Sequence, residues 1–417
     1  MNLQAQQLIS LNDLLRQLRE TNPFFSKKLK ESGVTEDIKS LEGFTEKFPL
    51  LKKQDLVDDQ KVNPPYGTNL TYPISAYTRF SQTSATSGAK PVVWLDTDKS
   101  WAWMVENWVK VYQCAGVSKD DRIFCAFSFG PFLGFWTAYE AAHELGSLVI
   151  PGGNMDTLTR IEMVRRHKVS VLCCTPTYAI RFFEIAREQS IGPRQLHLEK
   201  VLVAGEPGGS SFAFRKYFAE VAPGIDLIDH YGMTEVGPVA VRDPEYQDTL
   251  QIFDHRYLAE LIDPETKALI AVSDEAVEGE LVLTPLGRSA TPVLRYCTGD
   301  LVRMKKTKGR TLLEGGIIGR MDDMVIVRGV NIYPTAIDGV LREFPQLKEY
   351  RVTLDKTASL PELLLEVELD GQRNEDIAKK MQERFHQVFA LRIPVETVPE
   401  ESLPRFEMKA KRWIIKE

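Results

Sequence analysis

Between Thr83 and Pro91 the chain reads TSATSGAKP, with four hydroxyl side chains, a glycine and a lysine within nine residues. A loop of this composition offers backbone N–H groups and hydroxyls to an anion, which is how phosphates are cradled. A solvated turn is the ordinary alternative for the same residues. Further on, DHYGMTEVG (Asp229 to Gly237) supplies a glycine that lets the chain bend, a hydroxyl at Thr234 for a phosphate oxygen and a carboxylate at Glu235. A carboxylate beside a phosphate suits Mg2+, which is typically held by one or two carboxylates plus substrate phosphates; an exposed turn with an incidental glutamate explains the stretch equally well. RYCTGD ends in Asp300, whose two oxygens could accept both hydroxyls of a ribose, although a hairpin turn has the same signature. GRMDD sets Arg320, a ribose or phosphate partner, beside two acids that also make a salt-bridged linker. RFEMKAKRW places Lys409 and Lys411 near the C-terminus, where a solvated basic tail is the usual explanation. None of these is decisive singly.

The elements around them point to an α/β protein. Leu8, Leu11, Leu14, Leu15 and Leu18 recur at helical spacing until Pro23 interrupts. After the hydroxyl-rich loop, PVVWLDT predicts a strand and WAWMVENWVKVYQCAG a helix stopped at Gly116. From Arg122 apolar runs alternate with helices: RIFCAFSF, TAYEAAHELG, SLVIPGG, TRIEMVRRHK, VSVLCCT, TYAIRFFEIAREQ, EKVLVAGEP, SFAFRKYFAEVA and IDLIDHYG. Continuous apolar strands between helices mark a sheet covered by helices. Ligands in such sheets gather at strand carboxyl ends, so Thr175, Gly205 to Pro207 and Tyr231 to Glu235 are candidate lining positions. Between Leu250 and Met304 the texture changes to hairpins, predicting a small β subdomain, either a barrel or an edge sheet. Past Arg320 to Asp323 the pattern restarts as a small α+β unit. The expected organisation is therefore a large domain over 1–320 and a small α+β C-terminal domain over 321–417.

With 52 basic and 58 acidic residues the net charge is −6, which gives no electrostatic reason to approach nucleic acid or an anionic membrane. A composition 43% hydrophobic and 26% charged is that of a globular protein. The five cysteines show neither paired disulfide spacing nor a C-x2-C zinc pattern. The start MNLQAQQLISLNDLLRQL lacks the charged and apolar runs of a signal peptide, and no apolar stretch approaches the ~18 residues of a membrane span. A cytoplasmic location is the expectation.

Taken together and in order, the motifs resemble the adenylate-forming superfamily of acyl- and aryl-CoA synthetases, peptide adenylation domains and luciferases. TSATSGAKP is similar to its phosphate loop, VAGEP to its adenine-contacting strand end, YGMTE to its magnesium motif, YCTGD to its ribose aspartate, GRMDD to its hinge and KAKR to its terminal lysine motif. PFFSKKLKESGV, PLLKKQDL, VLCCTPTYA and RGVNIYP resemble the phenylacetate-CoA ligase branch more narrowly. The resemblance implies two steps. A carboxylate attacks the α-phosphate of ATP to give an acyl-adenylate and pyrophosphate, and a thiol, usually coenzyme A, then displaces AMP. By this matching Thr83, Ser84, Thr86, Ser87, Gly88 and Lys90 embrace the β- and γ-phosphates, Thr234 touches the α-phosphate and Glu235 the Mg2+. Gly205, Glu206, Pro207, Tyr231 and Gly232 belong to the nucleotide site, Asp300 binds the ribose and Arg320 assists. Lys409 reaches the carboxylate and α-phosphate, Asp322 serves as hinge, and the face near Gly329 meets the thiol. The branch is commonly dimeric.

The chain departs from the family at three places. Ala85 stands where glycine is usual, the lysine after Gly88 is displaced by one place to Lys90, and Met408 replaces the glycine before Lys409. The segment AFSFGPFLGFWTAYEAAHELG resembles the acyl-pocket region, so Phe129, Phe132, Phe135 and Trp136 would enclose an aryl or arylacetic acid, aromatic rings favouring edge and offset contacts; plain core is the alternative for four aromatics near a buried helix. Two other functions remain open: an enzyme that loads a separate carrier protein or adenylylates a cofactor, since no fused carrier is evident, and a nucleotide-binding regulator without turnover, which Ala85 and Met408 would favour.

Overall fold

The computed structural model describes residues 2–83, 91–328, 330–357, 361–370, 374–405 and 411–416. Four helices open the chain: α1 (Leu3–Thr21), α2 (Pro23–Glu31), α3 (Leu41–Lys47) and α4 (Lys53–Val62). Asn22 sets the first corner. Its side chain accepts from the backbone N–H of Phe25 at 3.0 Å, capping α2, while Pro23 occupies the first helical position where no N–H is needed. The same buried amide donates to Asn69 (3.1 Å) and Thr71 (3.0 Å), so the helical cap is stitched to the loop that follows it. A hairpin of β1 (Arg79–Gln82) and β2 (Val93–Asp96) brackets the hydroxyl-rich loop, and α5 (Asp98–Cys114), capped by Thr97, leads into the main sheet.

The alternating region forms as its periodicity predicts: β3 (Arg122–Cys125), α6 (Leu133–Glu144), β4 (Leu148–Pro151), α7 (Thr157–Arg166), β5 (Val171–Cys174), α8 (Pro176–Glu188), the single turn α9 (Pro193–Leu196), β6 (Lys200–Val203), α10 (Phe212–Val221) and β7 (Asp226–Met233). Strand alternation divides the core between the two faces. Ile123, Cys125 and Cys173 pack on the side of α5 and α6, whereas Phe124, Leu172 and Cys174 pack on the side of α8 and α10. The adjacent cysteines thus face opposite ways, and burial pushes the Cys174 thiol well above its ordinary pKa, as befits a small core residue.

The expected β subdomain is not a separate barrel. β8 (Gly237–Arg242), β9 (Thr249–Ile252), β10 (Tyr257–Ile262), β11 (Leu269–Ile270), β12 (Val277–Pro285), β13 (Tyr296–Thr307) and β14 (Arg310–Arg320) continue the same sheet. Among the described residues it has twelve strands in the order β11-β10-β12-β13-β14-β9-β8-β7-β6-β5-β3-β4, parallel from β7 to β4 and antiparallel beyond. The hairpin texture was legible; that β7 carries both kinds of pairing was not, because the period-two pattern is the same for either neighbour.

A single turn of 3-10 helix, Met321–Asp323, leads to the hairpin β15 (Val325–Val327) and β16 (Val330–Ile332), then α11 (Pro334–Leu341), β17 (Leu347–Asp355), β18 (Glu362–Leu369), α12 (Asn374–Phe389), β19 (Val395–Thr397) and β20 (Trp413–Lys416). These have their own core, which includes Val327, Ile337, Val352, Leu365, Met381 and Phe385. β20 pairs parallel with β17, so the last residues form an edge strand where the sequence reads as a basic tail. No described helix is long and apolar enough to cross a membrane.

The turn between β7 and β8, which carries Thr234 and Glu235, is held from behind by Tyr257. Its fully buried hydroxyl lies 2.7 Å from the Pro238 carbonyl and 3.0 Å from that of Val236, and accepts from Asn107 at 3.3 Å. Tyr257→Phe removes this anchor and leaves buried partners unpaired, so urea denaturation should show a loss of about 1–3 kcal/mol.

Candidate active site

The most complete constellation lies where β7, β13 and β14 converge. Cross-strand register sets Asp300 opposite Arg320, and Arg320 Nη1 donates to Asp300 Oδ1 at 2.9 Å. Tyr231 Oη donates to Asp300 Oδ2 at 2.6 Å. Gly299 makes the preceding turn at φ +73°, a conformation that suits glycine, and the Asp300 N–H returns to Thr298 Oγ1 at 3.1 Å. Burial raises the Asp300 carboxyl and is opposed by Arg320 and by the Tyr231 hydroxyl. Burial first, then the neighbouring Asp300, pushes the Tyr231 phenol well above its ordinary value, so it stays a donor. Asp322 is exposed and 3.7 Å from Arg320, at the start of the joint between the two cores.

Next to Tyr231 on β7, Gly232 packs so closely against β8 that a Cβ would fall 2.9 Å from the Gly237 carbonyl. Thr234 follows, and its carbonyl accepts from the guanidinium of Arg288, a residue with no solvent exposure. Arg288 is locked by Asp96 through two bonds of 2.9 and 2.6 Å and stacks over Trp94 at 5.1 Å. Glu235 is buried, with Tyr296 Oη at 3.4 Å and Lys53 Nζ at 3.8 Å. Among the described residues no three His, Cys, Asp or Glu side chains cluster as a metal cage. A lone carboxylate at a strand end is the donor set of Mg2+ that arrives with nucleotide phosphates.

The strand-end loop after β6 is positioned differently. Gly205 takes φ +87°, and the Glu206 carboxylate accepts from the N–H (3.1 Å) and hydroxyl (2.8 Å) of Thr177 at the start of α8. Pro207 is half-buried beside it. Behind this loop Ser210 Oγ donates to Asp229 Oδ2 at 2.6 Å, a brace the sequence did not signal. Phe129, Phe132, Phe135 and Trp136 do meet: Phe129 lies edge-on to Trp136 at 5.0 Å, Phe132 edge-on to Phe135 at 6.0 Å, and Phe135 stacks on the buried Phe127 at 4.6 Å. Phe129 also borders an open groove of about 540 Å3 with Ser128, Gly130, Pro151, Gly153 and Asn154, at the carboxyl ends of β3 and β4. The strand order reverses between β3 and β5, the crevice where open α/β sheets bind ligands.

Thr83 is buried, and its hydroxyl oxygen accepts from Val92 N at 3.0 Å, closing the base of the hydroxyl-rich loop. Ser84, Ala85, Thr86, Ser87, Gly88 and Lys90 lie outside the described residues, as do Gly329, Met408 and Lys409. Arg288, Asp96, Lys53 and Tyr296 were missed by sequence reasoning; the buried arginine in PLGRSATP was the available signal, an ionisable residue within an otherwise apolar and small stretch.

Such a fold and site define an adenylate-forming enzyme. Residues 82–285 match the family model described as AMP-binding enzyme, and residues 329–416 that of the AMP-binding enzyme C-terminal domain. The phenylacetate-coenzyme A ligase of Thermus thermophilus is 32% identical, the match covering 94% of this chain and 88% of the relative; that of Aromatoleum evansii is 30% identical over 99% and 94%. The chain belongs to the AMP-binding enzyme family, alongside the phenylacetate-CoA ligases. Among solved structures, 2-hydroxyisobutyryl-CoA ligase in the postadenylation state with 2-HIB-AMP superposes with a TM-score of 0.90 at 27% identity, covering 98% of this chain and 89% of that one. The same protein with 2-HIB-AMP and CoA in the thioesterification state gives 0.73 at the same identity, covering 99% and 89%. The overall arrangement of this structure is thus more similar to the postadenylation form of that protein than to its thioesterification form.

Asp229 offers a pH test of this region. Burial lifts its carboxyl from 3.8 to about 6, so the folded chain keeps a proton that the unfolded chain has lost between those values. Stability contributed by this group falls as pH rises through that window. Asp229→Asn, which still accepts from Ser210, should gain up to ~3 kcal/mol over the parent above pH ~6 and lose that advantage below pH ~4. Urea midpoints of both proteins at pH 4 and 7.5 check it.

Proposed function

We propose that this chain activates a carboxylic acid with ATP to form an enzyme-bound acyl-adenylate and transfers the acyl group to coenzyme A. It is an AMP-forming acid–thiol ligase. The observation that carries the reading is the Asp300 carboxylate with Tyr231 on one oxygen and Arg320 on the other. Each oxygen has a second lone-pair direction, which suits the two vicinal hydroxyls of a ribose. Access runs past Arg320, whose side chain is 30% exposed against 4% for Asp300, so the ribose takes the edge that Arg320 now covers.

The remaining roles are those the family resemblance implies. Gly205, Glu206, Pro207, Tyr231 and Gly232 line the adenine side. Thr234 faces the α-phosphate with its backbone fixed by Arg288, and Glu235 holds the Mg2+ that accompanies the phosphates, supplying a cation where negative charge develops. Thr83, Ser84, Thr86, Ser87, Gly88 and Lys90 form the phosphate loop. Lys409 completes the first step from the C-terminal domain, which we assign to 321–417 with Asp322 as hinge and the face near Gly329 toward the thiol; 1–320 forms the large domain. The aromatic cluster of Phe129, Phe132, Phe135 and Trp136 beside the strand-end groove favours an aryl or arylacetic acid. A cytoplasmic homodimer is the assembly carried by resemblance, and light scattering checks it.

The test is AMP release by the purified chain with ATP, Mg2+ and a panel of aryl, arylacetic and aliphatic acids, with and without CoA. The expected result is AMP and acyl-CoA together for arylacetic acids. Acid-dependent pyrophosphate exchange without CoA turnover would instead indicate a carrier-protein acceptor, and ATP binding with no exchange a regulator. In the active enzyme Asp300→Ala should lower kcat/KM for ATP by ~100-fold or more through loss of charge-assisted hydrogen bonds, with Tyr231→Phe losing about 10-fold.

A further inference from the structure

The contact between the two domains is polar, and its buried groups are not used by any step described above. On the large domain, Tyr217 of α10 donates its hydroxyl to Glu184 Oε1 of α8 at 3.0 Å. On the small domain, Arg342 at the end of α11 lays its guanidinium 5.4 Å from the centre of the Tyr217 ring. The Arg342 side chain is only 9% exposed, and its Nε lies 3.4 Å from Asp338. Asp338 in turn accepts from Tyr350 Oη at 2.9 Å, while Arg412, paired with Glu349, covers the Tyr350 ring at 5.0 Å. A cavity of about 30 Å3 is left between the halves, with Thr177, Arg181 and Glu184 on one wall and Arg342, Glu349 and Arg412 on the other. The Glu184 carboxyl is raised by burial, against the pull of the Tyr217 hydroxyl and the nearby guanidinium groups.

These groups meet across the domain boundary in the arrangement this structure holds. Tyr217 packs in the core of the large domain and Tyr350 in that of the small one, while Glu184 stands on α8 and Arg342 caps α11. A cation held over a ring already polarised by a carboxylate is a directional contact, and the same groups are readily solvated when parted. An apolar contact of equal area would not release so cheaply.

We propose that Tyr217, aligned by Glu184, and Arg342 form the latch that holds the C-terminal domain in the arrangement that accompanies the acyl-adenylate, the one shared with the postadenylation neighbour, making them positioning residues for the adenylate half-reaction and not for thioester formation. The proposal rests on the two-step reading given above. Its further consequence is that the latch and the proposed nucleotide site share one rigid rod: the first turn of α8 carries Thr177, which holds Glu206, and Glu184 follows two turns later.

The test uses the full-length chain and three variants, Arg342→Ala, Arg342→Lys and Tyr217→Phe. Arg342→Ala should slow acid-dependent ATP–pyrophosphate exchange roughly 10- to 30-fold, while acyl-CoA formation from supplied phenylacetyl-adenylate and CoA stays within about twofold of the parent. Arg342→Lys, which keeps the cation, should recover most of the exchange, and Tyr217→Phe, which keeps the ring, should lose less than Arg342→Ala. Equal losses in both half-reactions, or no loss in either, would overturn the latch. Small-angle scattering of parent and Arg342→Ala decides independently of turnover: the parent should fit this structure and the variant a more extended one. Identical scattering from both would also overturn it, whereas a parent that exchanges with no acid, yet shows the scattering change, would sink the ligase reading and leave the latch standing.

Discussion

A guanidinium with no access to solvent holds the catalytic side of the large domain together. Arg288 reaches Asp96 on β2 with two hydrogen bonds and the Thr234 carbonyl with a third. The residues just after it are stitched to the same place: Ala290 N–H donates to Ser100 Oγ at 3.0 Å and Thr291 Oγ1 to the Leu95 carbonyl at 2.6 Å. Burying such a pair gains little over an apolar substitute, because desolvation offsets most of the attraction. What it fixes is position. β2 and Thr234, which follows β7, therefore share one mount and cannot drift apart independently.

The second constraint is the curvature of the sheet. Tyr231 on β7 and Asp300 on β13 are separated by three intervening strands, β8, β9 and β14. In a flat sheet four strand spacings of about 4.8 Å would place them roughly 19 Å apart, beyond the reach of a tyrosine, yet their side chains are hydrogen-bonded at 2.6 Å. The sheet must therefore curl back on itself, and irregular register on both sides of Asp300 accompanies the curl, between Glu280 and Val282 on β12 and from Leu301 to Arg303 on β13. Bulges of this kind bend strands and raise their twist. The hydrogen-bonded Asp300 carboxylate is thus a product of the curl, since it brings together groups supplied by strands at opposite ends of the bend.

This explains which parts of the site were legible in the sequence. Thr234, Glu235, Asp300 and Arg320 stand in short motifs whose glycines and turns fix local geometry, so their residue types carry meaning by spacing alone. The helices could be read from periodicity and caps, and even the antiparallel texture of β10 to β14 was visible. The hydrogen bond from Tyr231 to Asp300, the lock of Arg288 on Asp96 and the approach of Lys53 to Glu235 span 69, 192 and 182 residues of sequence and have no local signature. β20 was hidden for a related reason. WIIK follows a basic stretch, and only its parallel pairing with β17, some sixty residues earlier, makes it a strand.

The same physics separates the rigid part from the part that is free to choose. Asp300, Thr234 and Glu235 are mounted on one continuous sheet with a shared core, where any displacement would cost packing across many strands. The C-terminal domain encloses its own core and meets the rest through charged and aromatic side chains such as Arg342, Tyr217 and Glu184. Polar contact between domains is the composition of an interface that opens, because water can replace each partner when the surfaces part. A site that must perform two reactions with different groups needs that division. In the two-step reaction proposed for this chain, the stiff sheet would hold the nucleotide and the smaller domain would change the face it presents.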